Sequence, residues 1–268
     1  MRALQSRFDW YEATVDNDTD SRTAPSLALV LGAHLVRGKG RNGYAECWQL
    51  VRDDIQLCEV YGRSARLGEV HITVTSESCD EVVPVLRRMY PEHRVSRADA
   101  AVDVHADFET LDLQVLAFAV ERGLSYAMMT GSDGGATRRI GSPRSETMLR
   151  VYKKTEQLRA LHPEIADTIP DGVVRFELVA RPGKRAVKES LSTMSADDVW
   201  GLSQWSTEFA SFVVGFEAER TATHFRRPSN YRRALHFVGI QYGPLMRDRA
   251  AEIGREATLL ELAGALGL

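Results

Sequence analysis

Tyr152 lies two residues after Arg150 and directly before Lys153 and Lys154, in the stretch TMLRVYKKTEQ. A free phenol, with a pKa near 10, is a poor nucleophile at neutral pH, but nearby cations favour the phenolate and a metal can polarise a phosphoryl group under attack. Upstream, VSRADAAVDVHAD sets Arg97, Asp99, Ala101, Asp103 and His105 on one face at period two, with Ala98, Ala100, Val102 and Val104 on the other. The two aspartates then project from one strand with Cα atoms about 13 Å apart. Downstream, VVRFELVAR places Arg175 and Glu177 on a common face by the same rule. The apolar alternate residues suggest central strands, where an unpaired carboxylate costs several kcal/mol. A positive group must therefore face these acids. Arg97 or Arg175 could supply it as a salt bridge, and so could Mg²⁺ or Mn²⁺, which prefer carboxylate oxygens. A helix that starts right after Tyr152 adds its own partial positive charge, which suits a phosphate. Phosphoryl transfer onto Tyr152 is the chemistry this set allows; read alone, a tyrosine beside lysines is an ordinary surface feature.

Cations gather in two places. Between Gly135 and Lys154 lie Arg138, Arg139, Arg144, Arg150, Lys153 and Lys154, opposed only by Glu146. A second stretch, ERTATHFRRPSNYRR, holds Arg220, Arg226, Arg227, Arg232 and Arg233 near Tyr231. Any single charge run is ordinarily a solvated face, but two runs interleaved with aromatic residues fit a nucleic-acid groove. A net charge of -3 argues against coating nucleic acid by bulk electrostatics.

The elements that must carry these residues are legible from periodicity. With 268 residues, 44% hydrophobic and 26% charged, the chain is long enough for a core without disulfide or metal staples. Cys47, Cys58 and Cys79 show no C-x-x-C spacing and read as buried thiols. No signal-peptide stretch or run of ~18 apolar residues is present, so a cytoplasmic protein without membrane contact is expected. Segment 9–26 is polar and acid-rich, and RGKGRNG at 37–43 reads as a mobile basic loop. EVHITVT is a strand with Val70, Ile72 and Val74 on one face. SESCDEVVPVLRRMY is a helix with Ser78 and Glu81 in capping-box spacing, although Pro84 implies a start close to Glu81. After the strand at 95–107, ETLDLQVLAFAVERG is a helix with Leu113, Leu116 and Val120 at helical spacing and Gly123 as its stop. LSYAMMT, TMLRVY and VVRFELVAR are strands, KKTEQLRALH is a helix, and the chain turns helical from Ser195. The sum is an α+β fold, a mainly antiparallel central sheet with crossing helices over 1–194, and a helical C-terminal part, 195–268, packed on it or merged with it in one domain.

The ordered set SRADAAVDV, IGSPRSETMLRVYKKTEQ and VVRFELVAR resembles the replication initiation factor family of plasmids and phages, which includes relaxases of some integrative elements. The family pattern is roughly R-x-D-x-x-x-D, then G-S-x-x-S followed by R-x-Y-x-K-x-x-E, then R-F-E. The likeness is good over residues 95–180 and looser at FDWYEATV, GRNGYAECWQL, GEVHITVTSESC and the tail from Tyr231. It implies initiation of rolling-circle replication of a phage, plasmid or integrative element. Tyr152 would attack one strand at an origin, leaving a 5′-phosphotyrosine and a 3′-OH that primes a polymerase. By the same resemblance, Asp99, Asp103 and Glu177 are candidates for a divalent metal, Mg²⁺ or Mn²⁺, and Arg150, Lys154 and Arg175 for phosphate contacts. Glu156 matches the motif glutamate, as a metal ligand or a partner of Lys153. Arg138, Arg139, Ser142, Arg144, Ser145, Lys153, Arg226, Arg227, Arg232 and Arg233 are candidate DNA contacts. Partners would be single- or double-stranded origin DNA and, as a family expectation, a host helicase and polymerase. With one convincing tyrosine, strand closure requires a second subunit or reuse of Tyr152, and a homodimer is expected.

The chain departs from related patterns. None of its seven histidines forms the H-x-H arrangement of the broad class of rolling-circle nucleases. The resembled family also lacks it, which leaves metal binding to carboxylates. Where that family has an acid between tyrosine and lysine, this chain has Lys153. Two other readings stand beside the first. A non-catalytic origin-binding protein would gain nothing from aligned carboxylates, which repel phosphate unless neutralised. A tyrosine recombinase would form a 3′ link without metal, through arginines and histidines of which no ordered set is visible.

Overall fold

Among the described residues, alternating apolar positions build ten strands, all in the first of two units, Met1–His224 and Phe225–Leu268. The computed structural model describes residues 6–16, 18–64, 68–131, 135–215 and 243–266. The strands are β1 (Arg7–Asp16), β2 (His34–Lys39), β3 (Tyr44–Arg52), β4 (Ile55–Ser64), β5 (Glu69–Thr75), β6 (Arg94–His105), β7 (Tyr126–Thr130), β8 (Ala136–Ile140), β9 (Thr147–Lys153) and β10 (Val173–Ala180). They form one sheet in the order β2-β3-β4-β5-β1-β6-β10-β9-β8-β7, and every pairing is antiparallel. The expected α+β class with an antiparallel sheet is what the chain adopts.

One face of the sheet is the core. Tyr11, Ala13, Val70, Ile72, Val74, Ala98, Ala100, Val102, Leu149, Val151, Phe176 and Leu178 are all buried. Against it pack α1 (Asp20–Leu31), α2 (Ser78–Met89), α5 (Arg185–Ser190) and α6 (Ala196–Trp200). Phe209, at the end of α7 (Gln204–Phe209), meets Phe176 of β10 and Phe118 of α3 (Phe108–Glu121) edge to face, at 5.7 and 5.1 Å. Such pairs add specific geometry to the area they bury. In the second unit, a helix over 243–253, α8, precedes α9 (Arg255–Leu266), and Arg249 reaches Glu261 at 2.7 Å. Among the described residues no helix is long and apolar enough to cross a membrane, and Cys47, Cys58 and Cys79 are free and buried.

Three local expectations need correction. The helix α2 starts at Ser78, not near Glu81, and carries Pro84 inside it. Cys79, Val82, Val83 and Leu86 bury one face from the first turn onward, and that packing outweighs the hydrogen bond Pro84 removes. The capping box does not form, because Glu77 is the N-cap and Ser78 is already inside the helix, its hydroxyl donating to the Gln56 carbonyl, while Arg52 holds both Glu81 carboxylate oxygens at 2.8 and 2.7 Å. The 37–43 stretch is half strand, with Arg37, Gly38 and Lys39 completing β2. In α3 the stripe Leu113, Leu116 and Val120 is exposed, while Phe108, Val115, Phe118 and Ala119 are buried. That second apolar stripe is the one that packs, and beside it Asp112 accepts from Tyr126 and from Arg138 Nε.

Behind the sheet, His93 is 2% exposed. Its Nδ1 donates to the Tyr90 carbonyl and its Nε2 accepts from the Tyr11 hydroxyl, each at 2.7 Å. Both nitrogens are thus used by the neutral ring, and burial holds its pKa below the ordinary value. The unfolded chain binds this proton first as pH falls, so stability should drop as pH falls below about 6.5. In urea titrations, His93→Gln should flatten the stability loss between about pH 7 and pH 5 by roughly 1 kcal/mol. An unchanged slope would remove His93 from that account.

Candidate active site on the open sheet face

Register decides which side chains meet on the other face. Tyr152 of β9 pairs with Arg175 of β10, and Arg175 pairs with Asp103 of β6. One step along, Arg150 pairs with Glu177. On the other side of β6, Trp10 of β1 lies opposite Asp99, and Glu12 opposite Arg97. Paired residues of an antiparallel ladder project to the same side, so all these side chains share the face away from the helices. Between Phe8 and Trp10 the register shifts by one residue, and this bulge turns Asp9 toward Arg175.

Two ion-pair groups result. Arg97 forks onto Asp99 at 2.9 and 2.5 Å, and Arg150 reaches the same carboxylate at 3.2 Å. Arg150 also donates to Glu177 Oε1, so one Nη2 bridges two acids. Asp99 is wholly buried and Glu177 is 2% exposed. In the second group, Arg175 grips Asp103 through two bonds of 2.6 Å and donates to Asp9 at 2.7 Å. Both groups have the bidentate geometry that makes guanidinium–carboxylate pairs strong, and they confirm that positive charge faces the acids.

Tyr152 sits between the groups. Its hydroxyl donates to Glu177 Oε2 at 3.2 Å, and Lys154 Nζ lies 6.0 Å from its ring centre. The helix α4 (Lys154–Leu161) starts right after the strand, with Lys153 as N-cap. Thr155 fixes this turn, donating to the Pro170 carbonyl and accepting from Val173 N at the start of β10. The expectation that neighbouring cations would favour the phenolate is reversed in the protein alone. Burial first, and then the charge of Glu177, raise the Tyr152 pKa well above its ordinary value, outweighing Arg175 and Arg150. Burial also raises Glu177, opposed by Arg150 and reinforced by Asp99. Lys154 is lowered by burial and by Arg175.

The four acids of the expected metal set do not form one cluster. Among the described residues no group of three or more His, Cys, Asp or Glu side chains is placed to hold a metal ion. Asp99 and Glu177 are brought together around Arg150, Asp103 belongs with Arg175, and Glu156 is exposed on α4 beside a different hollow with His105 and Asp107. The two that do meet, Asp99 and Glu177, have Arg97 and Arg150 where a cation would sit, so as arranged they do not offer an open site for Mg²⁺ or Mn²⁺.

The candidate DNA contacts also separate. Arg139 pairs with Arg150 across β8 and β9 on the site face, while Arg138 is turned the other way, onto Asp112 and the Phe108 ring. Lys153 is likewise directed to Glu109 and Phe108. Ser142 and Arg144 are exposed and Ser145 half-buried in the β8–β9 loop. Arg175 is 1% exposed. Arg226, Arg227, Arg232 and Arg233 lie outside the described residues. The sequence reading missed Asp9, Trp10 and Arg181. Asp9 is revealed only by the bulge, and Trp10 by its position under Arg97, whose guanidinium lies 4.3 Å from the ring centre. Arg181, just past β10, has its pKa lowered by burial and then by Arg97, a cation crowded by cations. A hollow of about 610 Å³ opens over Asp9, Trp10, Thr137, Arg150, Tyr152 and Glu177.

No known family model matches the chain, and no curated protein does. Among solved structures it is similar to the rolling circle replication initiator protein from Geobacillus stearothermophilus, with a TM-score of 0.53 and 19% identity. The match covers 88% of this chain and 96% of that one. The two share a fold.

Replacing Asp99 by Asn leaves Arg97 without its counter-charge and Arg150 with only Glu177. Breaking a buried ion pair from one side costs about 3 kcal/mol, and Asp99→Asn should lower unfolding stability in guanidinium titration by that order. A loss under ~1 kcal/mol would class these pairs with exposed ones.

Proposed function

We propose that the chain is a site-specific DNA nicking and joining enzyme that initiates rolling-circle replication of a phage, plasmid or integrative element. The observation that carries this reading is the Tyr152 hydroxyl, hydrogen-bonded to Glu177 and set among Arg150, Arg175 and Lys154. The shared fold with a rolling-circle initiator supports it.

Tyr152 Oη attacks a backbone phosphate of one strand. The Oη–P bond forms and the P–O3′ bond breaks, leaving a 5′-phosphotyrosine and a 3′ oxyanion, which takes up a proton to become the 3′-OH. Because Tyr152 is neutral at rest, its proton needs a destination, and the existing hydrogen bond aims it at Glu177 Oε2. Burial raises Glu177 and so makes it a better base than an exposed carboxylate. Arg150 and Lys154 face the charge that builds on the phosphoryl oxygens. A divalent metal belongs to the same reading; Asp99 and Glu177 would hold it only in exchange for Arg150, which now bridges them, and it would then supply positive charge against the same oxygens. The reverse attack by the 3′-OH rejoins the strand. Origin DNA is the macromolecular partner, and a second subunit, a helicase and a polymerase belong to the same reading.

The test mixes the protein with a pool of the replicon's single-stranded DNA and Mn²⁺, with and without EDTA, and looks for a covalent shift on a denaturing gel. Wild type should shift only with metal, and Tyr152→Phe should not shift while keeping DNA binding within a few-fold. An adduct that persists in Tyr152→Phe would assign the nucleophile elsewhere, Tyr231 being next. An adduct indifferent to EDTA would favour recombinase chemistry. Intact binding with no adduct would leave an origin-binding protein without catalysis.

A further inference from the structure

The open face continues past the hollow as an unbroken chain of side-chain contacts. Trp10, which lines the hollow with Tyr152, donates its Nε1 hydrogen to Glu12 at 2.8 Å. Glu12 lies 4.0 Å from His71 of β5. The ring of Tyr44, from the start of β3, stacks on His71 with centres 5.6 Å apart and planes 23° from parallel. Tyr61 supports both rings from 6.0 and 6.1 Å. In the register, Tyr152, Asp99, Trp10 and His71 descend diagonally across the sheet, since Trp10 pairs with Thr75 and Thr14 with His71. At the strand spacing and rise of a sheet, the diagonal from Tyr152 to His71 spans roughly 33 Å.

Charge follows the rings. The hairpin turn before Tyr44 exposes Arg41, and Tyr44 N donates to the Arg41 carbonyl; Lys39, the last residue of β2, lies opposite Glu46. Arg37 and Arg63, beside the same hairpin, are held by Glu46 at 3.1 and 2.6 Å, which leaves Arg41 as the charge next to the rings. Half-buried aromatic rings beside exposed cations are what a sequence-tolerant single-strand site uses, because every base has a π face and every link a phosphate. Filling of a bare sheet surface would account for buried Tyr61, but not for a cation placed where the aromatic row ends.

We propose that single-stranded nucleic acid flanking the reactive phosphate runs from the hollow over Trp10 to Tyr44, stacking bases on these two rings with its phosphates toward Arg41. This rests on the reading of DNA as the substrate. Fluorescence anisotropy with an oligothymidylate of about 20 nucleotides should show Tyr44→Ala and Tyr44→Leu binding about tenfold more weakly than wild type, with much less effect on a duplex of equal length. The leucine variant keeps apolar bulk without a π face, and thermal melts of both variants separate lost stacking from lost folding. Photocrosslinking of wild type with a bromodeoxyuridine oligonucleotide should label peptides holding Trp10 and Tyr44. Variants that bind like wild type, equal weakening on single strand and duplex, or crosslinks confined to other peptides would overturn the path while leaving Tyr152 chemistry standing. Wild type that binds neither probe would overturn the DNA reading and the path together.

Discussion

Asp99 is a carboxylate with no solvent exposure on the sixth strand of a ten-stranded sheet. Removing an ion from water costs several kcal/mol unless opposite charge and hydrogen bonds replace the lost solvent. Arg97 comes from the same strand and Arg150 from β9, two strands away. For Arg150 to arrive, β9 must pair with β10 in the observed register, because a one-residue slip sends every side chain to the opposite face. The same register puts Glu177 beside Arg150 and Tyr152 beside Arg175. Burial of Asp99 thus ties the alignment of three strands to the placement of the tyrosine.

That coupling gives the site its rigidity. Tyr152, Glu177 and Arg150 stand on strands, not loops, and Thr155 pins the turn that follows. Pre-positioned charged groups cost little reorganisation when charge develops on a substrate. The opposite face carries the apolar core and its helices, so one side of the sheet holds the core and the other the candidate site. Asp9 joins the two, since the bulge that turns it toward Arg175 lies between Phe8, buried on the core side, and Trp10 on the open side.

Much of this was legible in the residue pattern. Period-two alternation placed Asp99 with Asp103 on one face of their strand and Arg175 with Glu177 on one face of theirs, and required a positive group near the acids; the strand-then-helix reading of TMLRVYKKTEQ set Arg150 beside Tyr152. What stayed hidden depends on tertiary geometry. A bulge has no periodic signature, so Asp9 was invisible. Arg138 and Lys153 read as site cations until Asp112, Glu109 and Phe108 of α3 claimed them. The exposed stripe of α3 shows the same limit, because the helix carries a second apolar stripe, Phe108, Val115, Phe118 and Ala119, and it is that one that is buried. Charge counting also gave the wrong sign for the tyrosine, since burial outweighed its cationic neighbours.

The most direct test of the central claim is chemical mapping of the linkage. Covalent DNA–protein product, digested with protease and nuclease, would be sequenced by tandem mass spectrometry to locate the residual nucleotide. The account predicts it on Tyr152, joined through a 5′ phosphate. A nucleotide on another residue, or joined through its 3′ phosphate, would contradict it.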